Sequence, residues 1–225
     1  MLDGGRFLFP PGRHVSELTK KKAESIFNEY KKMGYKLAGI GVEDLSAGCQ
    51  FLKDLDPAGE HLVSANLYCN GRPLFPPFRI YDVRGIKVAV VGLSGRILMP
   101  GLVENKEIEI RENDPSLDRY MAKIKKNADF IVALSSMPMG LEIGFLQRHP
   151  EIALVISSGR TYPTSLPTKQ GNCLIVSSHP LGKSIGLITL FLKKEKDGYL
   201  VKRYKNRLYM LNEKTGKGCG GPKLH

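Results

Sequence analysis

The chain has 225 residues, enough for one large domain or two small ones, with a sizeable core. Apolar residues at 42% and charged residues at 25% are ordinary for a globular protein, and no apolar run reaches the roughly 20 residues that span a bilayer. The formal net charge of +12 raises the prior for anionic partners. Its distribution argues against nucleic acid: Lys20–Lys22 and Lys31–Lys32 share one predicted helix, Lys193–Arg207 is mixed with Glu195 and Asp197, and neither an RNA-binding aromatic motif nor a zinc finger is present.

Residues 1–9 read as a strand that starts abruptly, and Pro10–His14 as a loop. MLDGGRFLFPPG lacks the basic and apolar regions of a signal peptide. Val15–Met33 reads as a helix, with Ala23, Ile26, Phe27, Tyr30 and Met33 in one stripe and Gly34 as its C-cap. Leu37–Ile40 is a short strand and Ala47–Leu55 a helix. The stretch 62–94 holds three strands: Leu62–Asn66, Phe78–Val83 and, after the Arg84-Gly85 turn, Ile86–Leu93. The last is so apolar that it should be buried on both faces.

Residues 95–114 fit an edge strand or a surface loop. Asp114 then caps a helix with Pro115 at its first position, running to about Asn127. Asp129–Leu134 is a strand, Gly140–Arg148 a helix and Ile152–Ile156 a strand. Cys173–Ser177, Ile185–Leu192 and Tyr199–Tyr204 read as a meander with a turn at Asp197-Gly198. Residues 1–211 form the domain, and 212–225 a flexible Gly/Lys-rich tail. Strands alternating with helices, then a run of strands, predict an α/β fold of two packed sheets with helices outside.

No two of Cys49, Cys69, Cys173 and Cys219 have CxxC spacing. Cys49 and Cys173, among apolar neighbours, read as core thiols. The five histidines show neither HxH nor HExxH. Gly182-Lys183-Ser184 lacks the glycine and the following helix of a P-loop, and Ser135-Ser136 has no Gly-x-Ser-x-Gly context.

Ser64-Ala65-Asn66, then Pro73–Phe78, then the hairpin into Ile86–Ser94, resembles the 5′-nucleotidase branch of the calcineurin-like metallophosphoesterases. The resemblance implies a metallophosphatase-like βαββα sandwich of two packed sheets flanked by helices. In such proteins two divalent metals activate water and clamp a phosphate ester. It runs from residue 1 to about 205, without the family's first strand and without its C-terminal nucleoside-binding domain. Relatives are often exported, but nothing here assigns a compartment.

The metal-ligand motifs depart from the family pattern. Where the family reads Asp-Ala-Gly-Asp, this chain has Asp3-Gly4-Gly5-Arg6, so Arg6 takes the metal-bridging position. Where it reads Gly-Asn-His-Glu or Gly-Asn-His-Asp, the chain has Gly41-Val42-Glu43-Asp44. Its Leu-Ser-His is Leu134-Ser135-Ser136, and its Gly-His-Thr-His is Gly159-Arg160-Thr161-Tyr162. Glu43, Asp44 and Ser136 are therefore degenerate catalytic positions, and no cofactor is expected. The alternative is a metal-dependent nucleotide or phosphoester hydrolase that takes manganese, zinc or magnesium through atypical ligands.

The resemblance implies that Arg6 and Arg160 converge. With Thr161, Tyr162 and Lys183 they would form a metal-free site for phosphate or nucleotide. Against this, the arginines would pair with Glu43 and Asp44. Asp44 would otherwise cap the helix after it, and His179 reads as an ordinary loop residue. Protein partners and oligomeric state are not readable.

Overall fold

The structure is a computed structural model that describes residues 1–12, 14–96, 107–112, 114–159, 166–179, 182–195 and 198–211. Its elements in chain order are β1 (Leu2–Asp3), α1 (Glu17–Lys32), β2 (Leu37–Ala38), a 3₁₀ turn (Glu43–Ala47), α2 (Gly48–Leu55), β3 (Leu67–Cys69), β4 (Arg72–Pro73), β5 (Phe78–Val83), β6 (Ile86–Leu93) and β7 (Ile108–Ile110). Then come α3 (Pro115–Asn127), β8 (Phe130–Ser135), α4 (Met139–Arg148), β9 (Leu154–Ser157), β10 (Thr168–Gln170), β11 (Cys173–Val176), β12 (Ser184–Glu195) and β13 (Gly198–Met210).

Six strands make the main sheet in the order β10-β11-β9-β8-β6-β5. Its four inner strands are parallel, with Val90 opposite Val132, Leu134 opposite Ile156 and Val155 opposite Ile175. The crossovers through α3 and α4 make that possible, because parallel neighbours need a long return connection. Alternation along each strand sends Ala89, Val91, Ile131 and Ala133 to one face, against Leu117, Met121 and Ile124 of α3 and Phe145 and Leu146 of α4. Val90, Val132, Leu134 and Leu174 point the other way, toward Leu37, Val63 and the β12–β13 ribbon.

This second layer has two separate pieces: parallel β1–β2 and antiparallel β12–β13. Leu37 of β2 faces the main sheet, while its neighbour Ala38 packs with Ala23 and Phe27 of α1. Two sheet layers with helices outside are thus the observed architecture. A third core joins α1, α2 and the small β4-β3-β7 sheet through Phe27, Leu52, Leu67 and Ile110.

Several elements differ from their predicted form. Only Leu2–Asp3 of residues 1–9 is strand, because Gly5 and Arg6 adopt positive φ (101° and 69°) and turn the chain away. Leu62–Asn66 makes one isolated bridge, Leu62 to Ala38. Its Ser64 and Asn66 side chains bond across to Ser94 instead, and the strand follows at Leu67–Cys69. Helix α1 is capped by Ser16, whose side chain accepts from Thr19 N. Its buried stripe is narrower than predicted: Ala23 and Phe27 are buried, whereas Ile26 and Met33 are exposed. Met33 is the C-cap, and Gly34 with φ 81° follows it.

Strand β6 is fully buried only from Ala89 onward. The predicted meander divides: β11 joins the main sheet in parallel with β9, while β12 and β13 form a two-stranded sheet of their own. Strand β10 had no sequence signal. Cys49 is no core thiol: it is disulfide-bonded to Cys69, stapling α2 to β3. Cys173 is a buried free thiol, pushed up to about 12 by burial and then by Glu142. Cys219, the Asp197 turn residue and the 212–225 tail lie outside the described residues. Among the described residues no helix is long and apolar enough to cross a membrane.

Candidate functional site

In sheets of this kind, loops at the carboxyl ends of the parallel strands gather into one crevice. Here they are Gly4–Arg6 after β1, Gly39–Asp44 after β2, Ser94-Gly95 after β6, Ser136 after β8 and Ser158-Gly159 after β9. Glycines let these loops touch. A Cβ on Gly5 would lie 2.9 Å from the backbone of Gly39 and Gly41, and one on Gly41 would collide with the Arg6 side chain.

Arg6 lies at the centre. Its Nε donates to Glu43 Oε2 (2.9 Å), a second guanidinium nitrogen donates to Glu43 Oε1, and the third donates to Ser158 O (3.1 Å). The pair is bidentate, the geometry that suits a guanidinium to a carboxylate. The Glu43 side chain is only 2% exposed, against 25% for Arg6.

Asp44 does not cap α2. Its carboxylate accepts four backbone N–H groups, from Arg6, Phe7, Leu8 and Gly41, at 2.7 to 2.9 Å. The aspartate pins the loop after β1 onto the loop after β2. Burial pushes its pKa up to about 6, with Asp3 adding to the rise and the N–H donors opposing it. Asp3 is also raised, chiefly by burial; it accepts from Gly5 N and from the Tyr30 hydroxyl.

Ser136 is buried, and its hydroxyl donates to Ile40 O (2.9 Å). The Ser94 hydroxyl donates to the same oxygen (2.8 Å), and Ser94 is bound in turn to Ser64 and Asn66. The Ser64-Ala65-Asn66 stretch has no role legible in its residue types alone. It is the brace that holds the loops after β2, β6 and β8 at one carbonyl.

The structure therefore brings together Arg6, Glu43 and Asp44, with Ser136 reaching the same loop through Ile40. Lys183 lies just before β12, where its carbonyl accepts from Leu211 N; among the described residues no bond joins it to Arg6. Arg160, Thr161 and Tyr162 lie outside the described residues. His179 bonds to Ser184, its backbone N–H donating to the hydroxyl and its ring Nδ1 lying 3.0 Å from it. Among the described residues no three His, Cys, Asp or Glu side chains are grouped so as to hold a metal ion.

No protein-family profile matches the chain. It is 30% identical over 132 residues to a 5′-nucleotidase of Vibrio cholerae serotype O1, an alignment covering 55% of this chain and 24% of that protein. A 5′-nucleotidase of Vibrio parahaemolyticus is 28% identical over 148 residues, covering 60% and 26%. The chain thus spans about a quarter of the length of these curated relatives.

Among solved structures, the Thermus thermophilus sulfate thiohydrolase SoxB superposes with a TM-score of 0.76 at 23% identity, covering 93% of this chain and 38% of that one. The calcineurin-like phosphoesterase YfkN of Bacillus subtilis gives 0.70 at 18% identity, covering 93% and 76%. At these identities the superpositions speak for the fold.

Proposed function

We propose that the chain is a degenerate member of the 5′-nucleotidase and metallophosphoesterase family, which it resembles over the part it shares with those proteins, and that its site does not work through a pair of metals. It serves instead as a binding or scaffold module. One arrangement carries this reading: Arg6, at the position where the resemblance expects a metal-bridging carboxylate, is locked in an ion pair with buried Glu43.

Hard divalent cations need several carboxylate, imidazole or amide ligands with free lone pairs converging on one point. The residues described here do not fit. The lone pairs of Asp44 are taken by four N–H donors, both oxygens of Glu43 are bonded to Arg6, and the guanidinium itself would repel a cation. The same pairing bears on an anion site. A phosphate approaching Arg6 has to displace Glu43, so any phosphate or nucleotide held here would depend on Arg160, Thr161, Tyr162 and Lys183 as well.

The test is hydrolysis of AMP and of an aryl phosphate with manganese, zinc or magnesium added, against a chelator control. The reading expects no metal-dependent turnover. Turnover that the chelator abolishes would overturn it and return the chain to the metal-dependent hydrolases. Titration with phosphate and AMP separately tests the anion site, and saturable binding lost in Lys183→Gln would support it.

A further inference from the structure

The cations of β13 form a surface whose layout the sequence conceals. Val201 points inward, opposite Leu192, yet Arg203 stands opposite Phe191. The register slips by one at this step, leaving Lys202 as the extra residue of a bulge. Without it, simple alternation would send residues 203, 205 and 207 into the core. With it, Tyr204 packs inward and Arg203, Lys205 and Arg207 are exposed on the outer face.

That outer face is a ladder. Arg203 is opposite Phe191, Lys205 opposite Thr189, Arg207 opposite Leu187 and Tyr209 opposite Ile185. The Arg203 guanidinium lies 4.8 Å and the Lys205 ammonium 5.9 Å from the Phe191 ring centre; Arg207 lies 5.9 Å from that of Tyr209. Neither Ser184–Leu192 nor Gly198–Met210 contains an acidic residue. Glu195, at the ribbon's far end, is paired with Lys193. Among the described residues, none of the three outer cations has a carboxylate partner. The mixing of charge read along Lys193–Arg207 does not extend to this face.

We propose that the outer face of the β12–β13 ribbon binds single-stranded nucleic acid. Arg203, Lys205 and Arg207 repeat at every second residue, about 7 Å apart, and would track a phosphate backbone. Phe191, 36% exposed, and the half-buried Tyr209 give ring surface on which bases stack once the cations lying over them turn to the phosphates. A groove or strip of cations interleaved with aromatic rings is the arrangement that holds single strands without sequence preference. An anionic membrane would use the charges but would not need rings set between them.

The experiment is fluorescence anisotropy of a labelled oligothymidylate of about 20 nucleotides with the full chain, across a salt series. Three phosphate contacts predict a slope near −2 in log affinity against log salt, about a 20-fold loss between 50 and 200 mM. Arg203→Gln/Lys205→Gln/Arg207→Gln should weaken binding at least tenfold, and Phe191→Leu about fivefold. Lys20→Gln/Lys21→Gln/Lys22→Gln removes the same charge from α1 and should change binding less than twofold.

Four results would overturn the proposal. They are no saturable binding at low salt, equal loss in the α1 variant, duplex bound as tightly as single strand, or binding to phosphatidylserine vesicles with none to the oligonucleotide. The last would make the face a membrane contact.

Discussion

Arg6 and Arg203 show two fates for one side chain. The Arg6 guanidinium spends donors on both oxygens of Glu43 and on the Ser158 carbonyl. Arg203 lies over the Phe191 ring on an exposed strand, with no carboxylate beside it among the described residues. The first is closed by its own protein and holds loops together. The second leaves its charge for something outside. Position in a family motif would have drawn attention to Arg6, while physical availability draws it to Arg203.

The sharpest way to break the contrast is to remove Arg6. Arg6→Met leaves Glu43 buried and unpaired, which costs about 3–5 kcal/mol, because an uncompensated buried charge is expensive. Arg6→Met/Glu43→Leu removes both charges and should recover to within about 1 kcal/mol of the parent, since a buried pair contributes little net stability over an apolar replacement. Urea unfolding of the parent, the single and the double variant measures this. A single variant as stable as the parent would mean that Arg6 is no more committed than Arg203.

The staple between α2 and β3 comes next. Closing a loop of 20 residues restricts the unfolded chain by about 3 kcal/mol on the chain-entropy account. Reduction with dithiothreitol, or Cys49→Ser/Cys69→Ser, should lower stability by that order and leave the ribbon unaffected. A free-thiol assay that finds all four cysteines reactive in unfolded, unreduced protein would refute the bond.

Asp44 gives a pH signature. Its folded pKa, about 6, lies above its ordinary value of 3.8. A carboxyl raised on folding stabilises the fold fully while protonated in both states, and that contribution is lost as pH rises through the folded value. Stability should therefore fall by up to about 3 kcal/mol between pH 4 and 6 and then level off. The raised pKa of Asp3 acts in the same direction. Comparing unfolding curves of the parent and Asp44→Asn across that range isolates the Asp44 contribution. If the two fall in parallel, Asp44 is not the source.

Local signals explain what could be read in advance. Asp114-Pro115 starts α3 because cap and first-turn preferences need no distant partner, and the Asp114 side chain does accept from Ser116 N. Strands β5 and β6 matched their predicted bounds because Arg84-Gly85 turns the chain between them. Residues 4–9 depart from the strand pattern because Arg6–Phe9 look like strand, while the N–H groups of Arg6, Phe7 and Leu8 go to an aspartate 36 to 38 positions away. The pairing of Cys49 with Cys69 and the slip at Lys202 were invisible for the same reason: both are fixed by a partner element, not by neighbours in sequence. At the site, the motif positions were legible through resemblance. The saturation of Asp44 and the Ser64–Ser94 brace are set by contacts between loops far apart in sequence.

The smallest expected effect is the one that tests the other half of the contrast. Exposed cation–π contacts contribute about 0.5–1 kcal/mol each, but Arg203, Lys205 and Arg207 also repel one another along a single face. Neutralising all three relieves that repulsion while removing the ring contacts. The net change in unfolding free energy of Arg203→Gln/Lys205→Gln/Arg207→Gln should lie within about 0.5 kcal/mol of zero, as for ordinary surface substitutions. Added salt would screen the repulsion in the parent and narrow the difference further. If the variant instead lost 2 kcal/mol or more, the ribbon cations would be structural, as Arg6 is, and their exposure would no longer argue for a partner.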